Sequence, residues 1–213
     1  MAVVVYVHGL WLQGAEAVLL QRRVTRTLGA EWRAFPYHSV DASLAENVVA
    51  LRAYLARIPA PALHLIGHSL GGLLILELFE TRVAVPPGRV VLLGSPVRGS
   101  RSARRLARLP LGRAMLGRTA GDALLAPREP RWRGGRDLGV IAGNLGIGLG
   151  RLLGPMPAPN DGTVLVEETD LPGAAAHIQL PVSHSGMVFS QTVARQTAAF
   201  LRDGRFAQSS KES

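Results

Sequence analysis

The chain has no cysteine among its 213 residues. That excludes disulfides, thiolate metal sites and a cysteine nucleophile together. It has one lysine, Lys211, so nearly all of its 24 basic residues are arginine. Aromatic residues make up only 5%, and neither a recognised nucleic-acid motif nor an aromatic stacking platform is visible, so no nucleic-acid partner is expected. No stretch reaches the roughly 18 apolar residues that a membrane-spanning helix needs. The apolar start, Met1 to Tyr6, has no basic residues ahead of it and is interrupted by His8 and Gly9. No signal peptide is therefore expected, and the location expected is cytoplasmic. Internal repeats, low-complexity tracts, metal-ligand clusters and nucleotide-binding loops are all missing, so no cofactor is expected.

What is present is enough to build a core. Apolar residues reach 47% and charged residues only 18%, the balance of a folded globular chain. The length fits one domain, read as residues 1–206 with a frayed tail over 207–213. The net charge of +9 is local: residues 98–136 hold eleven arginines against Asp122 and Glu129, and the other thirteen basic residues meet thirteen acids. One segment, and with it one surface, carries the whole excess.

The order of elements defines a fold class. Ala2 to Val7 is a short valine-rich run, as expected of a strand buried on both faces of a parallel sheet. A helix is predicted over 15–28, ended by Gly29. A second strand follows over 32–37. Asp41 or Ser43 caps a helix over 44–58 with an apolar stripe at Leu44, Val48, Leu51 and Leu55, and Pro59 and Pro61 end it. A third strand is expected over 62–66, an almost wholly apolar helix over 70–81 and a fourth strand over 89–93. This alternation predicts an α/β fold with a mostly parallel sheet of about six strands and helices on both faces. Regularity fails over 95–136, a basic excursion broken by prolines with short helical pieces near 102–109 and 112–116. A fifth strand (138–142), an irregular glycine- and proline-rich stretch (143–159), a last strand (178–180) and a closing helix (186–201) complete the chain.

Gly67-His68-Ser69-Leu70-Gly71 has the form G-x-S-x-G, set between a strand and an apolar helix. That is the setting of a nucleophile elbow, in which a tight turn holds the serine in a strained conformation and exposes it. Serine is a weak nucleophile without an adjacent base, itself oriented by an acid. Folds that present a nucleophile on such an elbow order their residues Ser, acid, His. Of the two histidines after Ser69, His177 belongs to the last strand and His184 to the loop after it, so His184 is the candidate base. His8 and His68 are read as structural. For the acid, Asp161 in Asn160-Asp161-Gly162 suits a tight turn that aims a carboxylate inward, while Glu167, Glu168, Asp170, Asp137 and Asp122 compete. The backbone amides of Leu70, after the nucleophile, and Leu10, after the first strand, are the candidate oxyanion donors.

Val7-His8-Gly9, Gly67-His68-Ser69-Leu70-Gly71-Gly72, Gly94-Ser95-Pro96, Asn160-Asp161-Gly162-Thr163-Val164 and Ser183-His184-Ser185-Gly186 together resemble the bacterial lipase and esterase branch of the α/β hydrolases. They are also similar to deacylases of inositol lipids. The resemblance spans nearly the whole chain and raises Asp161 above its competitors. It implies a minimal α/β hydrolase with a small cap or lid over 95–136, acting on acyl esters of lipid-like or medium chain length without a cofactor. An acyltransferase or thioesterase with the same three side chains is the alternative, and no residue separates them. The arginine-rich 98–136 segment either contacts anionic lipid above a bound acyl chain or is a solvated basic face with leucines packed on the core.

Overall fold

The computed structural model describes residues 1–148, 150 and 153–208. Six strands form one sheet: β1 Val3–Val7, β2 Glu31–Phe35, β3 Leu63–His68, β4 Val90–Leu93, β5 Leu138–Gly143 and β6 Ala176–Leu180. All neighbours are parallel, in the order β2-β1-β3-β4-β5-β6. Every side chain of β1, β4 and β5 is buried, as a central parallel strand covered on both faces requires. The outer strands β2 and β6 keep charged or polar residues towards solvent, which discourages edge-to-edge pairing.

Helices divide between the two faces. Helices α1 Val18–Leu28 and α6 Gln191–Asp203 pack together over Val4, Tyr6, Ile66, Val91 and Ile141. Helices α2 Leu44–Ala56 and α3 Leu70–Glu80 cover Val3, Val5, Val7, Leu65 and Leu92 on the opposite face. Ser43 rather than Asp41 starts α2. Its hydroxyl accepts the Glu46 amide at 3.2 Å, while the Glu46 carboxylate accepts the Ser43 amide at 2.7 Å. This reciprocal pair satisfies two amide donors that the first turn would otherwise leave free. The stripe Leu44, Val48, Leu51 and Leu55 is buried as the spacing predicts. The chain leaves β1 for β2 in one direction and crosses back to β3 on the other side of β1. The loops after β1 and β3 therefore diverge, opening a crevice at the carboxyl edge of the sheet.

The boundaries differ from the sequence expectations in instructive places. Strand β3 runs on to His68, so the turn at Ser69 follows the strand without a linker. The expected 186–201 helix is two pieces, a 3-10 turn at Ser185–Val188 and α6. The Ser190 hydroxyl makes the break by accepting the Val193 amide at 3.3 Å, a side-chain cap that starts a fresh helix. The excursion carries α4 Arg101–Leu106 and a longer α5, Gly112–Leu124. Helix α5 is two pieces joined at a kink after Leu116, where Gly117 takes the non-helical φ 71° and ψ −175°, a conformation that costs glycine little. The Arg118 amide finds the Val40 carbonyl at 2.8 Å, and Ala120, Ala123 and Leu124 then enter the core. At the carboxyl end the Gln196 side chain exchanges two hydrogen bonds with Ala207, of 2.8 and 3.1 Å. Residues 209–213 of the expected tail lie outside the described residues.

Phe200 is fully buried on α6 and packs on Phe206 with ring centroids 4.9 Å apart. Phe200→Ala removes this plug between α6 and the sheet and should cost about 3–5 kcal/mol, read as a fall in the urea midpoint. A loss below about 1 kcal/mol would contradict the packing of α6 on the sheet.

Candidate active site

Ser69 lies between the end of β3 and the first residue of α3, with φ 53° and ψ −120°. A non-glycine residue holds such a conformation only where its surroundings enforce it. Here its amide donates to the Leu93 carbonyl at 2.9 Å, and its own carbonyl accepts the Gly72 amide at 3.1 Å. The approach of α3 to the sheet is equally tight: a Cβ at Gly71 would stand 2.1 Å from the Val7 carbonyl oxygen. Ser69 itself stays half-buried, with its hydroxyl towards the crevice.

Asp161 reaches the same crevice from the irregular stretch after β5. Gly162, at φ 89°, closes the turn, a backbone region open to glycine without steric cost. Asp161 Oδ1 accepts the amides of Thr163 at 2.9 Å and Val164 at 2.7 Å, leaving Oδ2 to face His184 Nδ1 at 2.7 Å. The residue is 1% exposed. His184, just after β6, is fastened at both ends of its main chain. Its amide donates to the Asp161 carbonyl at 2.8 Å, and its carbonyl accepts from His68 Nε2 at 3.2 Å. Its Nε2 is 3.0 Å from Ser69 Oγ. The structure thus brings together the serine, histidine and aspartate singled out from the sequence. The Asp161 carboxylate accepts from Nδ1, which leaves Nε2 to accept a hydrogen bond from the Ser69 hydroxyl.

Electrostatics separate His184 from its neighbours. Burial disfavours its charged form, but the charge and hydrogen bond of Asp161 outweigh burial and raise its pKa. Burial pushes His68 down to about 3, with the nearby His184 adding to the fall. Burial also lowers His8, whose ring stacks on Tyr37 with centroids 4.2 Å apart. Of these three clustered histidines, only His184 is poised to take a proton. Nothing in the sequence signals that His68 anchors the His184 main chain.

The competing acids have other partners. Glu168, 6% exposed, accepts the amides of Leu165 at 3.0 Å and Arg101 at 2.6 Å. Asp170 pairs with Arg98 at 2.6 Å and Glu167 with Arg101 at 3.8 Å. These three acids clasp the arginine-rich excursion to the Asp161 loop, and the Ser102 hydroxyl adds a bond to the Thr163 carbonyl at 2.6 Å. Asp137 pairs with Arg89 at 3.2 Å, and Asp122 accepts the Leu44 amide at 3.1 Å.

The loop after β1 passes beside Ser69: a Cβ at Gly9 would lie 3.2 Å from that of Ser69. Leu10 follows directly, and Leu70 heads α3. Among the described residues neither amide donates to a protein acceptor. No cluster of histidine, cysteine and acidic side chains suited to a metal ion occurs among the described residues. No helix among them is long and apolar enough to cross a membrane.

A family model described as the alpha/beta hydrolase family matches residues 4–205. The chain belongs to that family. Among solved structures it is similar to the mature lipase BlEst2 of Bacillus licheniformis, with 20% identity, a TM-score of 0.74, and coverage of 93% of this chain and 90% of that one. The metagenomic carboxyl esterase MGS0156 is also similar, at 20% identity and a TM-score of 0.64, covering 86% of this chain and 64% of that one. So is the RedJ thioesterase from the prodiginine biosynthetic pathway of Streptomyces coelicolor, at 16% identity and a TM-score of 0.56, covering 94% of this chain and 84% of that one. At these identities the likeness is one of fold. No curated protein sequence matches the chain.

The geometry makes the His184 titration a direct readout of Asp161. In the wild type, NMR should place its pKa above the ordinary histidine value of about 6.5. In Asp161→Asn, burial remains without the opposing carboxylate, so the value should drop below that of the wild type. An unchanged titration would mean that the two side chains do not pair in solution.

Proposed function

We propose that the protein is a serine hydrolase that cleaves acyl esters through an acyl-enzyme on Ser69. The observation that carries this reading is the continuous relay from Ser69 Oγ to His184 Nε2, at 3.0 Å, and from His184 Nδ1 to Asp161 Oδ2, at 2.7 Å. Ser69 Oγ attacks the ester carbonyl carbon while its proton passes to His184 Nε2. The positive imidazolium that results is stabilised by the buried Asp161 carboxylate, which stays ionised. The oxygen of the tetrahedral intermediate takes the negative charge and is met by the amides of Leu70 and Leu10, the first of them at a helix amino terminus whose dipole favours an anion. Collapse breaks the ester C–O bond, and the departing alcohol takes the proton from His184. Water then repeats the sequence, activated by His184, and releases the carboxylic acid and free Ser69.

The substrate class in this reading is a lipid-like or medium-chain acyl ester. Support comes from the resemblance of the site motifs to bacterial lipases and esterases and from the fold shared with BlEst2 and MGS0156. A thioester is the second reading, favoured by the fold shared with the RedJ thioesterase. The same relay serves it, since the acyl-enzyme is identical once the leaving group has gone. Transfer of the acyl group to an alcohol or amine instead of water uses the same intermediate.

Hydrolysis of 4-nitrophenyl esters from acetate to palmitate, by wild type and Ser69→Ala side by side, tests the reading. Turnover by the wild type should fall about 10⁶-fold in the variant. Neutral His184 is the competent base, so kcat/KM should rise with pH through a midpoint above the ordinary histidine value of about 6.5. Equal rates in the two proteins, or a wild type inert on every ester and on acyl thioesters, would overturn the assignment.

A further inference from the structure

Among the described residues only four side chains other than glycine hold a left-handed backbone: Trp11, Ser69, Arg82 and Leu111. Ser69 is the proposed nucleophile. Trp11 and Leu111 are large apolar residues that nevertheless face solvent, 52% and 79% exposed. Both features, the backbone strain and the bare apolar surface, work against the folded state. Strain of this kind gathers where a surface has a task.

The two residues belong to one patch. The Trp11 indole donates to the Met115 carbonyl at 2.8 Å. The Met115 amide donates to the Leu111 carbonyl at 3.0 Å, so Leu111 and Met115 lie one helical turn apart. Met115 is 51% exposed, and Leu109, just across Pro110, is 50% exposed. The tip of the excursion is thus an exposed apolar cluster. It borders the crevice, because Trp11 sits two residues from Gly9, which lies against Ser69.

The charge around this tip identifies what covers it. Much of the arginine-rich segment is spoken for: Arg98 pairs with Asp170, Arg101 with Glu167, Arg118 with Glu46 and Arg128 with Glu77. Arg108 and Arg113, which flank the tip in sequence, are exposed and have no acidic partner among the described residues. A second copy of the chain would bring like charges together at this surface. Leucine, methionine and an indole with its polar edge, ringed by free guanidinium groups, match instead an acyl interior beneath anionic head groups.

We infer that Trp11, Leu109, Leu111 and Met115, flanked by Arg108 and Arg113, insert into an anionic lipid surface and set the Ser69 crevice against it. The inference rests on the hydrolase reading for its purpose, delivery of acyl lipids to Ser69, but binding can be measured without turnover. Ser69→Ala protein is sedimented with vesicles of pure phosphatidylglycerol or pure phosphatidylcholine. Binding to phosphatidylglycerol should be strong and should weaken as salt is added. In the same background, Leu109→Ser, Leu111→Ser and Met115→Ser together should lower it about 30-fold. Arg108→Gln with Arg113→Gln should also lower it about 30-fold, with little change on phosphatidylcholine. The arginine pair serves as the second test if the triple variant does not keep its thermal midpoint.

Full binding by a folded triple variant, or by the arginine variant, overturns the inference. So does absence of vesicle binding accompanied by a dimer that the triple variant abolishes, or by retention of a single-stranded oligonucleotide. Vesicle binding by a wild type inert on all esters and thioesters would instead sink the hydrolase reading and leave the docking surface standing.

Discussion

Helix α3 meets the end of β1 with no room for a side chain between them, and the rest of the crevice is arranged around that contact. With Gly71 pressed on the Val7 carbonyl, the chain between β3 and α3 must reverse within one residue, and Ser69 is forced into its unusual backbone. The same contact brings the loop after β1 alongside Ser69 and leaves the Leu70 amide at the head of a helix. Strand order contributes the other half, because the crossing between β1 and β3 opens the crevice where that turn occurs. Strain at one residue is thereby set by the packing of a sheet and a helix.

The other two members of the hydrogen-bonded relay are held differently. Asp161 and His184 come from loops, where positional precision is harder to obtain than on regular elements. Precision is recovered through the backbone: Asp161 accepts two amides within its own turn, and the main chain of His184 is bonded to Asp161 on one side and to His68 on the other. His68 matters here as a neutral donor. Burial favours its uncharged form, in which Nε2 can still donate to the His184 carbonyl.

Much of this was legible in the sequence, for identifiable reasons. Buried parallel strands appear as valine-rich runs, Ser43 is one of two caps the spacing offers for α2, and the elbow has its glycines where backbones collide. Ser69 follows from its G-x-S-x-G setting between strand and helix, and His184 from chain order. Asp161 was harder, since its turn sequence is common, and only three-dimensional pairing shows that Glu167, Glu168 and Asp170 face the arginine-rich excursion instead. The helical piece expected near 112–116 ends at the Gly117 kink, and the piece after it was missed because its start depends on Val40, distant in sequence, accepting the Arg118 amide. The split before α6 was missed because an apolar periodicity does not reveal a hydroxyl that restarts the helix. In both cases a hydrogen bond that apolar spacing does not encode, one distant in sequence and one three residues away, set the boundary.

The Trp11 indole crosses from the loop after β1 to the excursion and ends on the Met115 carbonyl. Leu10 is its immediate neighbour, so this bond ties the excursion to the short stretch of chain that passes beside Ser69 at Gly9. A displacement of the excursion that carries Met115 away must either break that bond or pull on the loop. The positions of the excursion and of the loop beside Ser69 are therefore mechanically linked variables, and whatever shifts the one strains the other.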